Sequence, residues 1–370
     1  MNKKPEYLLL DTEFVREKTY FSKLCLVQVS GPGIEPTIID PLDPTTEMQP
    51  LLDALHDPEV VKVLHSAYQD LEIFYHLTGK VPAPIFDTQV AASVLGFGEQ
   101  VSYANLCKDI CNVEISKSQQ FTDWSIRPLS QAQIDYALGD VIYLKDIYLE
   151  LKKRLAERGR EEWILEDIER LENPDTYRVD PQKSWEKIKI RSDKPKNLGV
   201  LREIAAWRET EAMRRDMPKN FVIRDDALME IALTMPKDGK ALERVRGFQS
   251  SQVGKPMGQT MLDAVHKILQ ADDATLPKRA KRRNFPATKA GILEMLKLLL
   301  KIDAAQHDIT PRRIADTDDL QTIALKGANA DVPAMRGWRF EIFGKKCVDL
   351  MEGKVGLSLK NGEIDVSEVS

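Results

Sequence analysis

The chain of 370 residues has no apolar run of membrane length, and its first six residues are polar with no signal-peptide pattern. The expectation is a soluble protein with no membrane partner. Cysteine is scarce. Cys25, Cys107, Cys111 and Cys347 are too few and too scattered for a disulfide framework or a zinc site, and a reducing cytoplasm is the expected setting. No GxxxxGK[ST] phosphate loop occurs, because Gly254-Lys255 is followed by Pro256. A helicase role and a bound nucleoside triphosphate are therefore not expected. Basic residues are sparse in the first part of the chain, where residues 1–150 hold 11 Lys+Arg against 22 Asp+Glu. That balance of −11 within a total of −5 leaves +6 for residues 151–370.

The acids of this first part are arranged in short motifs. Asp11 and Glu13 lie in LLLDTEF, Asp70 in HSAYQDLEIF, and Tyr136 with Asp140 in YALGDVIYL. Clustered acids without a basic partner in their own motifs repel one another unless a cation cancels the charge. Hard carboxylate oxygens suit Mg²⁺ or Mn²⁺. A metal-dependent phosphodiester enzyme is the leading reading.

Each piece has a local geometry. Residues 7–14 form a short apolar run ending in polar residues, which fits a buried strand. Alternation along that strand puts Asp11 and Glu13 on one face, at the C-terminal end where open α/β sheets place ligands. Residues 60–64 are a second apolar run. Leu64, Ala67, Leu71 and Phe74 then recur at helical spacing and predict an amphipathic helix carrying Asp70. Ser130 is a plausible N-cap for a third segment, a helix in which Tyr136 and Asp140 are one turn apart. Ala137, Leu138, Val141 and Leu144 would supply its packing surface. Taken alone, a DxE pair or a Tyr–Asp pair on a helix is ordinary surface chemistry. The signal lies in their conjunction and order.

DTEFVREKTYFSKLCLVQVS, VLHSAYQDLEIFYHL, FDTQVAASVLG, TDWSIRPLS and YALGDVIYLKDIY together resemble the motifs of the DEDDy 3′→5′ exonucleases, and within them the ribonuclease D family. The resemblance is dense over residues 5–150 and looser beyond. It implies a ribonuclease-H-like α/β exonuclease domain, a mixed sheet flanked by helices, followed by two all-α HRDC bundles. It also implies that Asp11, Glu13, Asp70 and Asp140 hold two divalent ions (Mg²⁺ or Mn²⁺), and that Tyr136 orients the attacking water. His65, Gln69, Asp87, Gln28 and the Asp123-Trp124 pair sit in matching landmarks and are read mostly as structural. One departure is local: Tyr20-Phe21-Ser22 lacks the proline that usually follows the tyrosine there. Relatives also tend to carry a helix and strand ahead of the first catalytic strand, so the expectation is either a missing sheet edge or a start at a later initiation site.

The expected organisation is an exonuclease domain over 1–172, a linker over 173–195 and an HRDC domain over 196–276. A basic linker over 277–287 and a divergent second HRDC domain over 288–365 follow. In the first module Leu198, Leu201, Ala205 and Met213 recur at helical spacing, and Asp225 is a plausible N-cap. Arg208, Arg214, Arg215, Lys278, Arg279, Lys281, Arg282 and Arg283 are candidate RNA contacts, any of which could instead be a solvated surface charge. The implied activity is trimming of RNA 3′ ends, with precursor tRNAs and other small structured RNAs as substrates and single-stranded 3′ ends preferred. A monomer is expected. The alternatives are a DNA-directed 3′→5′ exonuclease and a catalytically silent RNA-binding protein. The intact acids and Tyr136 argue against the second.

Overall fold

The computed structural model describes residues 4–116, 118–279 and 285–369. The chain divides into two units. One contains residues 1–13, 24–176 and 283–370; the other contains residues 14–23 and 177–282.

The first unit is built on a five-stranded sheet in the order β3-β2-β1-β4-β5. The strands are β1 (Tyr7–Val15), β2 (Lys23–Gly31), β3 (Ile34–Ile39), β4 (Val61–Leu64) and β5 (Ile85–Asp87). β1 runs parallel to β4 with Tyr7 opposite Val61, and β4 runs parallel to β5 with Leu64 opposite Asp87. β2 and β3 pair antiparallel. The sheet is therefore mixed. Tyr7 through Leu10 are all buried, as an apolar run in a central strand should be. The parallel strands bring the C-terminal ends of β1, β4 and β5 to one side, which is where the acids gather.

Helices cover the sheet: α1 (Gln49–Leu55), α2 (Tyr68–Thr78), α3 (Thr88–Ser93), α4 (Tyr103–Leu106), α5 (Gln131–Ile142), α6 (Leu144–Glu157) and α7 (Leu165–Glu172). The predicted Asp70 helix is α2, but it starts later than the periodicity suggests. Leu64 ends β4, and Ser66 at φ 60 separates strand from helix. The helical pattern over 142–171 is broken at Gly159, as the sequence suggests, and also at Tyr143. Tyr143 separates α5 from α6, and Gly159 at φ 60 ends the α6 stretch. Cys107–Cys111 form a π-helical turn, and all four cysteines are free thiols.

The second unit holds α8 (Pro195–Arg215), α9 (Lys219–Val222), α10 (Asp225–Thr234), α11 (Gly239–Glu243) and α12 (Pro256–Gln270). Leu198, Leu201 and Ala205 are buried as their spacing implies, while Ala212 rather than Met213 completes the inward face. Asp225 is not the N-cap expected of it. It is the first residue of α10 and pairs with Arg208 at 2.6 Å. The segment read as a linker contributes Trp185, Ile188 and Ile190 to this unit's core. Residues 14–23 pack here too: Tyr20 donates its hydroxyl to Glu209, and Asp216 accepts the amides of Tyr20 and Phe21 at 3.0 Å.

Residues 285–369 rejoin the first unit. They form α13 (Ala290–Gln306), α14 (Pro311–Ile314), α15 (Thr317–Lys326), α16 (Gly337–Arg339) and α17 (Lys345–Met351). Trp163 stacks on Trp338 at 4.3 Å, Arg313 pairs with Asp167 at 2.5 Å, and Arg160 donates to His307 O at 2.7 Å. The helical reading to residue 365 is corrected at its end. Residues 355–368 form an antiparallel hairpin, β6 (Val355–Lys360) and β7 (Glu363–Glu368), turning at Asn361-Gly362 with both φ positive. An Asn-Gly pair between alternating apolar residues is the strongest short-range hairpin signal, and tight two-residue turns of this kind need positive φ at both positions. Among the described residues no helix is long and apolar enough to cross a membrane.

Candidate active site

Two elements deliver three of the acids. β1 leaves its fully buried stretch after Leu10, and strand alternation then points Asp11 and Glu13 the same way. α5 begins with a complete capping box: Ser130 Oγ accepts from Gln133 N at 3.3 Å, and Gln133 Oε1 accepts from Ser130 N at 3.0 Å. That box fixes the helix start, and Ala137 and Val141 bury its inner face. Tyr136 and Asp140 share a neighbouring face. One carboxylate oxygen from each of Asp11, Glu13 and Asp140 lies within 4.8 Å of the others.

Asp70 does not join this trio directly. It is buried in the first turn of α2 and accepts the hydroxyl of Thr12, the residue between Asp11 and Glu13. It remains close enough to act electrostatically on both Asp11 and Glu13.

Burial and mutual repulsion hold these acids toward their neutral forms. Burial, then the charges of Asp140, Asp70 and Glu13, raise the Asp11 carboxyl well above the usual range. Burial and the charges of Asp140 and Asp70 push Glu13 up to about 9. Burial lifts Asp140 to about 7, and lifts Asp70 to about 7 against the Thr12 hydrogen bond. Burial and both of these neighbouring charges push Glu13 in the same direction. An all-oxygen, partly buried acid cluster matches what a hard divalent cation requires.

Tyr136 packs 6.0 Å, centroid to centroid, from the buried Trp124. Burial and the charges of Asp140, Glu13 and Asp11 raise its hydroxyl above the ordinary tyrosine value. It stays protonated at neutral pH and so has a proton to donate in a hydrogen bond.

Two residues emerge that the sequence did not single out. One is Thr12. The other is Tyr103, whose hydroxyl donates at 3.1 Å to the carbonyl of Gly139, the neighbour of Asp140. Both act across tertiary contacts and leave no local pattern.

Among the landmark residues, His65 and Asp123 make local hydrogen bonds. His65 has Nδ1 2.9 Å from Thr88 Oγ1 and Nε2 3.1 Å from Val101 O. Asp123 accepts from Ser125 N at 2.9 Å. Gln28 is fully buried in β2, with neither amide atom hydrogen-bonded.

The proposed RNA contacts divide. Arg208 is a correction: it is 3% exposed, and its guanidinium serves Ile223 O and Asp225, so it is a packing residue. Arg214 and Arg215 face solvent but both pair with Glu211. Lys278 is exposed, and Arg279 lies 3.9 Å from Asp193. Lys281, Arg282 and Arg283 lie outside the described residues.

Residues 1–156 match the 3′-5′ exonuclease family, and residues 197–265 match the HRDC domain. The chain is 40% identical over 364 residues to ribonuclease D of Bartonella henselae, covering 98% of this chain and 89% of the relative. It is 43% identical over 353 residues to ribonuclease D of Gluconacetobacter diazotrophicus, covering 95% and 89%. Its structure is similar to that of Escherichia coli RNase D, an exoribonuclease involved in structured RNA processing, with a TM-score of 0.78 and 29% identity over 94% of this chain and 93% of the other.

Proposed function

The chain belongs to the ribonuclease D family, and from that premise we propose that it trims structured RNAs, precursor tRNAs among them, and releases nucleoside 5′-monophosphates. It is a 3′→5′ exoribonuclease. The observation that carries the mechanistic reading is the convergence of Asp11, Glu13 and Asp140 within 4.8 Å, where burial and like charge together raise Glu13.

In this reading Asp11, Glu13, Asp70 and Asp140 hold two divalent ions, Mg²⁺ or Mn²⁺. When bound, such ions lower the pKa of the attacking water and stabilise charge on the leaving 3′ oxygen. The chain's own groups do the rest. The protonated Tyr136 hydroxyl orients the water by hydrogen bonding, and Tyr103 steadies the helix at Gly139 beside Asp140. Asp70 can ligate while keeping the Thr12 hydrogen bond, because that bond occupies one acceptor site, on Oδ1, of a carboxylate with about four.

The helical parts would guide RNA. Residues 177–282 carry 23 Lys+Arg and 15 Asp+Glu, a net +8, in contrast to −11 for residues 1–150. Lys183, Lys187, Lys189, Arg191 and Lys194 are all exposed on the segment leading into α8. Residues 290–326 repeat the succession of 195–234, a long helix, a four-residue helix and a ten-residue helix. That repetition supports a divergent second HRDC-like bundle. The free cysteines fit a cytoplasmic protein, and a monomer suffices for this arrangement.

The test is digestion of a 3′-tailed tRNA, with a matched DNA oligomer as the control for sugar type. Activity should vanish with EDTA, return with Mg²⁺ or Mn²⁺, and be nearly absent in a folded Asp11→Asn variant. Full activity of that variant in a clean preparation would remove Asp11 from the site.

A further inference from the structure

Asp87 closes β5 outside the acid cluster, yet its carboxylate joins the starts of two helices. It is 3% exposed. Its Oδ1 accepts from Gln89 N at 2.8 Å and Val90 N at 3.3 Å, which caps α3. The same oxygen accepts from Ser66 N at 3.1 Å, and Oδ2 accepts from Ala67 N at 2.8 Å.

The second pair of hydrogen bonds matters because α2 has no cap of its own. Ala67 stands at the N-cap position and has no side chain to offer, and Ser66 just before it sits at φ 60. Left-handed backbone at a non-glycine residue persists only where its surroundings over-determine it. Asp87 supplies those surroundings from a different strand. Three residues after Ala67 comes Asp70, in the first turn of the same helix. A rotation of that turn would carry the Asp70 carboxylate away from Thr12 and from Asp11.

We propose that Asp87 is a positioning residue: by gripping the amides of Ser66 and Ala67 it sets the start of α2, and so aims Asp70 at the acid cluster without touching the ions. This rests on Asp70 being a metal-holding acid. Outer-shell groups that orient ligating side chains typically change metal affinity by 10- to 100-fold when altered.

The geometry offers a selective substitution. Asp87→Asn can keep Oδ1 in place, with the α3 cap and the Ser66 bond, since asparagine is itself a good N-cap. What is removed is the Oδ2 acceptor for Ala67, replaced by an amide donor facing another donor. The full-length protein is stripped of metal and titrated with Mn²⁺, followed by the electron paramagnetic resonance of the free ion. Circular dichroism and melting in chelator report the fold.

For Asp87→Asn we expect weaker Mn²⁺ binding by roughly 10- to 100-fold, with the fold retained and turnover recovered as Mg²⁺ is raised. In an Asp70→Asn background the same change should have no further effect on Mn²⁺ binding, because the side chain it aims is already gone. An equal further loss in that background would overturn the proposal, since Asp87 would then act through its charge or through general loosening. Unchanged Mn²⁺ affinity with a lowered melting temperature would also overturn it, leaving a structural cap. If Asp70→Asn alone leaves Mn²⁺ binding intact, the assignment of Asp70 itself fails, and the proposal with it.

Discussion

At the scale of single residues, the acids are arranged so that the metal-free site opposes its own ionisation. Glu13 is pushed up to about 9, and Asp70 and Asp140 to about 7, from ordinary carboxylate values near 4. A carboxyl whose folded pKa is raised favours the folded state most below its unfolded pKa, and that advantage is lost as pH rises through the folded value. The metal-free protein should therefore lose stability progressively between about pH 4 and pH 9. Divalent ions replace the protons, so the rise in melting temperature on adding Mg²⁺ should be larger at pH 8.5 than at pH 6. Thermal melts with and without Mg²⁺ across this range check it; a pH-independent Mg²⁺ effect would contradict it. Tyr136 yields a separate expectation. Removing its hydroxyl in Tyr136→Phe should leave Mn²⁺ and RNA binding intact and slow single-turnover hydrolysis by roughly 10²- to 10⁴-fold, the range for a positioned proton-handling group. Equal rates would assign it a packing role against Trp124. The acids and Tyr136 were legible in the sequence because strand alternation and helical spacing are local rules. Thr12 and Tyr103 were not, since each reaches its partner over a long sequence separation and nothing in the local pattern marks it.

At the scale of elements, the caps decide what holds the site. α5 carries its own capping box at Ser130, readable from Ser130 and Gln133. Ser130→Ala should cost about 1 kcal/mol of stability and lower turnover through Asp140 and Tyr136 more than it lowers RNA affinity; denaturant melts and kinetics on one short RNA separate the two effects. α2 has no local cap, and periodicity alone extended it back to Leu64. The strand ended there instead because Ser66 adopts a left-handed turn that Asp87 holds from β5. Asp225 failed as an N-cap for a comparable reason: it was drawn one residue into the helix, where it meets the buried Arg208. The hairpin over 355–368 was legible from Asn361-Gly362 and the alternation around it, but was absorbed into a helical reading of the whole C-terminal region. Its Val355, Leu357 and Val366 pack on the core of α13, α15 and α17.

At the scale of the molecule, charge is unevenly divided along the chain. Residues 1–150 are net −11, while residues 177–282 are net +8. RNA held away from the acids should therefore depend on the second group of residues. Replacing Lys187, Lys189, Arg191 and Lys194 by glutamine should weaken binding of a long RNA and flatten its salt dependence by about 0.7 for each phosphate no longer neutralised. Hydrolysis of a very short single strand should be nearly unchanged. A salt titration of wild type and variant decides this, and identical slopes would assign the segment to packing. On the proposed reading, the four acids make this chain a metal-dependent 3′→5′ exoribonuclease. The most direct test of that reading is a calorimetric titration of Mn²⁺ into the metal-stripped protein at pH 8, paired with product analysis on an RNA oligomer. Two bound ions and stepwise release of nucleoside 5′-monophosphates from the 3′ end are expected, both abolished in Asp11→Asn. Undiminished hydrolysis in excess chelator, or wild-type metal binding and turnover by the variant, would contradict it.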